Sequence, residues 1–284
     1  MKVGIVVDSA CDLRELGEWG SSEYDFTVVP LKLEVGEKEF VDDAGLDVAA
    51  FMEEVAAYTG KSGSAAPSPG EWMEAFEKND ITYAFTITKN LSGSYNSSVV
   101  GKEMTLEKYP DKKIYILNTY STGPEMSLMV RKTTECIKAG KSFEETVQTL
   151  EEYIKTTKLF FILEHMDNLV HNGRVSKLSG SLAGLLGIRI FGQASDIGTL
   201  EVLQKKRGKM TVYNVCVEEM IARGFKGGRV IIAHCLNPEK AEYIKTQLLE
   251  KYPQSDILIM PAGGLDTFYA EKDGMLIGFE TESR

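Results

Sequence analysis

Residues Thr86–Tyr95 read TITKNLSGSY, an apolar strand that runs into a turn crowded with hydroxyls and ends on a helix start. Ile81, Tyr83, Phe85 and Ile87 alternate with Thr82, Ala84 and Thr86, the period of a β-strand. Asn90, Ser92, Gly93 and Ser94 then supply turn chemistry and N-cap candidates. In a parallel α/β sheet, ligands bind beyond the carboxyl ends of the strands. Backbone N–H groups and the Ser92 hydroxyl converging there suit one oxygen of a carboxylate or phosphate. A capped helix with no ligand uses the same residues, so this segment leaves both readings open.

Three further segments carry polar groups of the same kind. VVDSACDL at 6–13 is a strand end followed by Asp8, Ser9 and Asp12; Asp8 and Ser9 either cap a helix or hydrogen-bond a ligand. GKSGSAAPSPG at 60–70 reads as a long turn of small residues between two helices, with Pro69 and Glu71 starting the second. Ser64 stands there just before Ala65 and Ala66, with no bulky side chain to shield it. In HNGRVSKLSGS at 171–181, Asn172-Gly173 predicts a tight turn that presents Arg174. Its planar fork fits a carboxylate or phosphate, or equally a structural acid. Ser176, Ser179 and Ser181 lie on a small-residue, apolar run through Leu186 that reads as cavity wall or core, and Gly227-Gly228-Arg229 resembles the Arg174 turn.

Other chemistries lack their residues. There is no G-x-x-x-x-G-K-[ST] phosphate loop, no G-x-S-x-G elbow and no H-E-x-x-H. The only histidines are His165, His171 and His234, and Cys11, Cys136, Cys216 and Cys235 are widely spaced, without metal-ligand spacing. Small buried thiols are expected. A serine hydrolase would need a base near Ser92; His234, at the end of a strand, is a candidate without any recognisable sequence context for that pairing.

The elements that position these residues alternate along the chain. Strands are expected at Val3–Val7, Thr27–Leu33, Ile81–Ile87 and Lys113–Leu117, with helices at Leu46–Tyr58, Gly70–Lys78, Ser94–Tyr109, Glu125–Lys138 and Ser142–Thr156. A second run has strands at Lys158–Leu163, Gly187–Ala194, Leu200–Lys206, Arg229–His234, Asp256–Met260 and Met275–Phe279, with helices at Met210–Ala222 and Pro238–Tyr252. The fold class is therefore α/β, with two α/β domains, 1–157 and 158–284, each a mostly parallel sheet flanked by helices. With 284 residues, 43% hydrophobic and 26% charged, the chain suits a globular protein of this kind. A net charge of −10 argues against general attraction to nucleic acid or an anionic membrane. No apolar run approaches the roughly 18 residues of a membrane span, and the opening MKVGIVVDSACDL is too soon interrupted by Asp8 to be a signal peptide. A cytoplasmic location is expected.

Taken in order, the chain resembles the DegV family, whose members act as fatty-acid-binding FakB subunits of bacterial fatty acid kinase. The resemblance rests on VDSACDL at 7–13, VVPLKLEVGEKEFVDD at 28–43, APSPGE at 66–71, NLSGSYNS at 90–97, ILNTYSTGPEM at 116–126, NGRVSK at 172–177 and KRGK at 206–209. It implies a two-domain α/β protein with a long-chain fatty acid held between the domains and the acyl tail buried in the second. It further implies no catalysis by the chain itself, with the carboxylate presented to a separate ATP-dependent kinase that forms an acyl phosphate in phospholipid metabolism. By motif match, Ser92 takes the place of the carboxylate-binding serine of L-S-G-[TS]-Y, Ser64 that of the threonine of T-S-Q-P-S, and Arg174 that of the arginine of G-G-R. With Gly93 and Ser9 these make the expected ligand-binding set; no metal ligand is assigned and no cofactor is expected beyond the bound acid.

This chain departs from the family pattern in its loop SAAPS at 64–68 and in Asn172 ahead of Gly173-Arg174. The C-terminal H-x-G-P-G is also missing, since the chain after Gly263 reads GLDTFYAEKDGMLIGFE, so the family's histidine contact has no counterpart. The physics fits the assignment. Burying about fifteen methylenes at about 0.8 kcal/mol each offers up to about 12 kcal/mol before ordering costs. A few hydrogen bonds then suffice to keep the head group from erasing that gain. Two other classes share the cleft: an enzyme acting on a small anionic substrate, and a lipid-responsive sensor domain.

Overall fold

A computed structural model of the protein describes residues 1–175, 188–208 and 210–282. Four parallel strands form the first sheet, in the order β2-β1-β6-β7: β1 (Val3–Asp8), β2 (Tyr24–Val29), β6 (Ile81–Thr86) and β7 (Lys113–Asn118). Helix α2 (Pro69–Phe76) starts with Pro69 after a capping box in which Ser68 and Glu71 exchange hydrogen bonds, so the expected start is met within one residue. Its Trp72 and Phe76 pack under the first sheet with Val6 and Ala84. Helix α3 (Ser94–Lys108) follows β6 directly.

The strand expected at Thr27–Leu33 is two strands. Pro30, which has no N–H to give a ladder, separates β2 from β3 (Lys32–Val35), and β3 belongs to a small antiparallel sheet with β4 (Lys38–Val41) and β5 (Ser62–Ala65). The segment expected as a plain turn around Ser64 is therefore partly a strand, in register with β3 so that Ser64 faces Leu33 across the ladder. Helix α1 (Val48–Ala57) joins β4 to β5.

The second sheet differs from the mostly parallel one expected. Its order is β10-β9-β8-β13-β11-β12, from β8 (Thr157–Leu163), β9 (Ile188–Ala194), β10 (Leu200–Arg207), β11 (Arg229–His234), β12 (Asp256–Pro261) and β13 (Met275–Glu280). Only β11 and β12 run parallel, joined through helix α8 (Pro238–Lys251); every other pair is antiparallel. Strand β8 reads as a continuous apolar run because both its faces are covered. Phe160 and Ile162 point into a core beneath α7 (Thr211–Ala222) and α8, while Leu159, Phe161 and Leu163 point the other way.

Helix α4 (Gly123–Lys138) lies between the two sheets, packing on β6 and also on β8, β11 and β13. One continuous core joins Ile5, Val7 and Met126 of the first half to Ile231, Leu265 and Phe268 of the second. Helix α5 (Phe143–Tyr153) carries a second capping box, Ser142 with Glu145, and the second sheet begins soon after it at Thr157. Backbones meet where α4 crosses β13: a Cβ on Gly278 would stand 2.6 Å from the Glu125 nitrogen and the Pro124 carbonyl carbon. Neither of those backbone atoms can swing aside, so Gly278→Ala is expected to destabilise the protein by about 1–3 kcal/mol, read as a lower urea midpoint at unchanged slope. All four cysteines are buried and unpaired, as expected. Among the described residues no helix is long and apolar enough to cross a membrane.

Candidate functional site

A recess with a cavity volume of about 110 Å³ opens between the two sheets. Its apolar wall comes largely from the second half of the chain: Leu159, Phe161 and Leu163 on the free face of β8, Leu200 on β10, Leu276 on β13 and Leu169 on α6 (Asp167–His171). Its polar groups gather from distant segments, Ser64 from β5, Ser92 and Gly93 from the turn after β6, Thr122 before α4, Arg174 after α6, and Asp266 and Tyr269 from α9 (Gly264–Ala270).

Four of the five residues expected at the site are therefore brought together. Ala66 lies 3.8 Å from where a Cβ on Gly93 would stand, and Asn172 Oδ1 lies 3.2 Å from that of Gly63, so the Ser92 and Arg174 turns close over β5 from two sides. The fifth, Ser9, is fully buried outside the lining. Its hydroxyl accepts the Leu31 N–H at 3.0 Å, and its carbonyl accepts from Arg14. A serine at a strand end that meets its own chain's unpaired N–H has no surface left for a ligand. The serines Ser176, Ser179 and Ser181 and the rest of 176–187 lie outside the described residues.

Ser92, Arg174 and the Ser64–Tyr269 pair carry donor hydrogens at this lining. Ser92 Oγ accepts the Ser94 N–H at 3.2 Å, which leaves its own proton free to leave the turn. Arg174 gives one N–H to the Asn172 carbonyl at 2.8 Å and pairs with no carboxylate among the described residues. The look-alike Arg229 is structural instead, held between Glu135 and Glu280. Ser64 Oγ and the Tyr269 hydroxyl stand 2.9 Å apart. His234 is not in the lining; its Nδ1 accepts the Asn237 N–H, and no histidine lines the recess among the described residues.

Buried aspartates fix the frame. Asp8 Oδ2 accepts from Ile87 N at 3.0 Å and from Ser94 Oγ at 2.6 Å, tying the end of β1 to both sides of the Ser92 turn. Burial pushes its pKa up to about 7, against those two stabilising hydrogen bonds. Asp12 accepts the Gly263 N–H at 2.7 Å, and Asp42 accepts those of Gly264 and Leu265 at 2.9 and 3.2 Å, so two acids from the first 42 residues hold the start of α9. Arg14 balances Asp42 at 2.6 Å. Asp266 sits against Asp12 and takes a hydrogen bond from Thr122 at 3.0 Å; burial, then the Asp12 charge, raises its pKa well above the usual carboxylate range. Sequence reasoning missed α9 and with it Tyr269 and Asp266. The signal was the absence of the expected histidine segment, which left those residues without a role.

Residues 2–282 match the family described as "Uncharacterised protein, DegV family". The chain belongs to the DegV family. A DegV domain-containing protein of Streptococcus pneumoniae is 42% identical over 278 residues, which cover 98% of this chain and 99% of the relative. The crystal structure of the Streptococcus pneumoniae Fatty Acid Kinase (Fak) B3 protein loaded with linoleic acid superposes with a TM-score of 0.96 at 42% identity, covering 99% of this chain and 100% of that one. A DegV family protein from Eubacterium eligens loaded with heptadecanoic acid gives 0.93 at 35% identity, over 99% and 100%. The α/β architecture of this DegV protein is thus shared with its structural relatives.

Proposed function

We propose that this DegV protein binds a long-chain fatty acid, with the acyl tail along the β8 wall and the carboxylate at Ser92, Gly93, Ser64 and Arg174. The observation that carries the reading is chemical: an apolar recess ends beside hydroxyl protons and a guanidinium that no carboxylate of the described chain neutralises. A carboxylate answers both needs, since charge-assisted hydrogen bonds are about twice as strong as neutral ones. Relatives loaded with linoleic and heptadecanoic acids support the same ligand class. The chain is then a binding subunit, and a separate ATP-dependent kinase converts the presented carboxylate to an acyl phosphate, with the first domain at 1–157 supplying most of the head-group loops and the second at 158–284 most of the tail wall. A cytoplasmic setting suits such a carrier.

Protein purified from a bacterial host and denatured for mass spectrometry is expected to release long-chain fatty acid. Ser92→Ala is expected to weaken binding of hexadecanoate about tenfold, the size of one lost hydrogen bond to a charged group, and to leave binding of its methyl ester unchanged. Absence of lipid together with no thermal shift on adding fatty acid would overturn the reading. Turnover of acyl or phosphate esters that is abolished by Ser92→Ala would point instead to an enzyme.

A further inference from the structure

We propose that Tyr269 is the positioning residue of the head-group site, its phenol donating to Ser64 Oγ so that the Ser64 proton is aimed at the ligand's carboxylate; this deepens the fatty-acid-binding reading and rests on it. The two oxygens are 2.9 Å apart, both side chains line the recess, and both are half-buried. Two hydroxyls bonded to each other carry two protons and use one between them. The other is left to donate outward. With Tyr269 as the donor, Ser64 is the outward one, and donation into its oxygen strengthens the bond it gives.

Without the phenol, the Ser64 hydroxyl would rotate freely, and fixing it on binding would cost entropy that the pair has already met. The phenol is itself held in place. Tyr269 rides on α9, whose first N–H groups are fixed by Asp12 and Asp42, and its ring packs edge-on against Phe268 with centroids 4.9 Å apart. Ser64 is fixed by the β3 ladder. The two oxygens thus meet across 205 positions of sequence because each stands on a rigid support. Nothing else in the described structure engages the Tyr269 hydroxyl.

The test compares hexadecanoate with its methyl ester, which shares the tail but lacks the charge, on the full-length protein stripped of lipid. Tyr269→Phe is expected to weaken the acid about five- to tenfold while the ester binds as to the parent, so the acid-to-ester preference falls by the same factor. Ser64→Ala is expected to do the same, and the double variant to be no worse than Ser64→Ala alone, since the phenol acts through the serine. Ser64→Thr, which keeps the hydroxyl, is expected to restore the preference. An unchanged preference in Tyr269→Phe overturns the proposal, as does loss of both ligands, which marks a structural role, and so do additive losses in the double variant, which mark a direct contact. If the parent protein binds neither acid nor ester, the fatty-acid reading itself falls. If the parent binds the acid and Tyr269→Phe binds it equally well, only the positioning role falls.

Discussion

Affinity for saturated fatty acids is expected to fall by about 3,000-fold when the chain is shortened from sixteen carbons to ten, six methylenes at about 0.8 kcal/mol each. The effect follows from which face of β8 meets the recess. Leu159, Phe161 and Leu163 line it together with Leu169, Leu200 and Leu276, and none of these side chains offers a hydrogen bond to prefer one carbon over the next. The head group is held alike in every member of the series, so only the area removed from water changes. Displacement of a fluorescent fatty acid across the series gives the slope directly. A slope near zero would mean that the tail lies in solvent and that the recess between the sheets is not its place. The contrast with the head-group substitutions is informative, because removing any one hydroxyl there is expected to cost only about tenfold. The tail sets how tightly the acid is held, and the polar groups set which end stays at the mouth.

The second large effect is on stability as a function of pH. Asp8 is buried with a pKa near 7 in the folded protein against 3.8 in its ordinary state. Between those values the unfolded chain gives up the proton first, so the folded state binds more protons and stability falls as pH rises. The full loss for Asp8 is on the order of 4 kcal/mol, of which about 2 kcal/mol falls between pH 5.5 and pH 8. Asp12 and Asp266 act in the same direction, since burial raises both and the two face each other. The melting temperature is therefore expected to be several degrees lower at pH 8 than at pH 5.5. Asp8→Asn keeps an oxygen to accept from Ile87 N and Ser94 Oγ but cannot ionise, so it is expected to lessen this dependence, leaving the part due to Asp12 and Asp266, and to melt higher than the parent at pH 8. Burial outweighs the hydrogen bonds that stabilise the ionised Asp8, whose Oδ1 has no hydrogen-bond partner in the described structure. A melting temperature that rises from pH 5.5 to pH 8 would show that these carboxylates are charged and well satisfied in the folded state.

The amino-acid sequence alone determined most of the longer elements and most of the head-group turns of this DegV protein. β6 and the Ser92 turn, the capping boxes at Ser68 and Ser142, and the buried lone cysteines are set by neighbours within a few residues, and local chemistry is what a sequence displays. Ser64, Ser92 and Arg174 were legible as single polar groups on turns. That they face one recess was expected only from the family resemblance, because no local pattern shows the Ser62–Ala65 segment pairing with β3 against the weak strand preference of Ser and Gly.

Only the tertiary structure decided strand direction in the second sheet. An apolar run looks the same whichever way its partner lies, and the chain's return path alone makes β8, β9 and β13 antiparallel. It decided likewise that Ser9 is spent on Leu31, while Tyr269, on a helix too short to announce itself by periodicity, reaches Ser64. Asp12 and Asp42 hold that helix from more than 200 residues away, and a contact across such a distance leaves no pattern in the residues on either side of it.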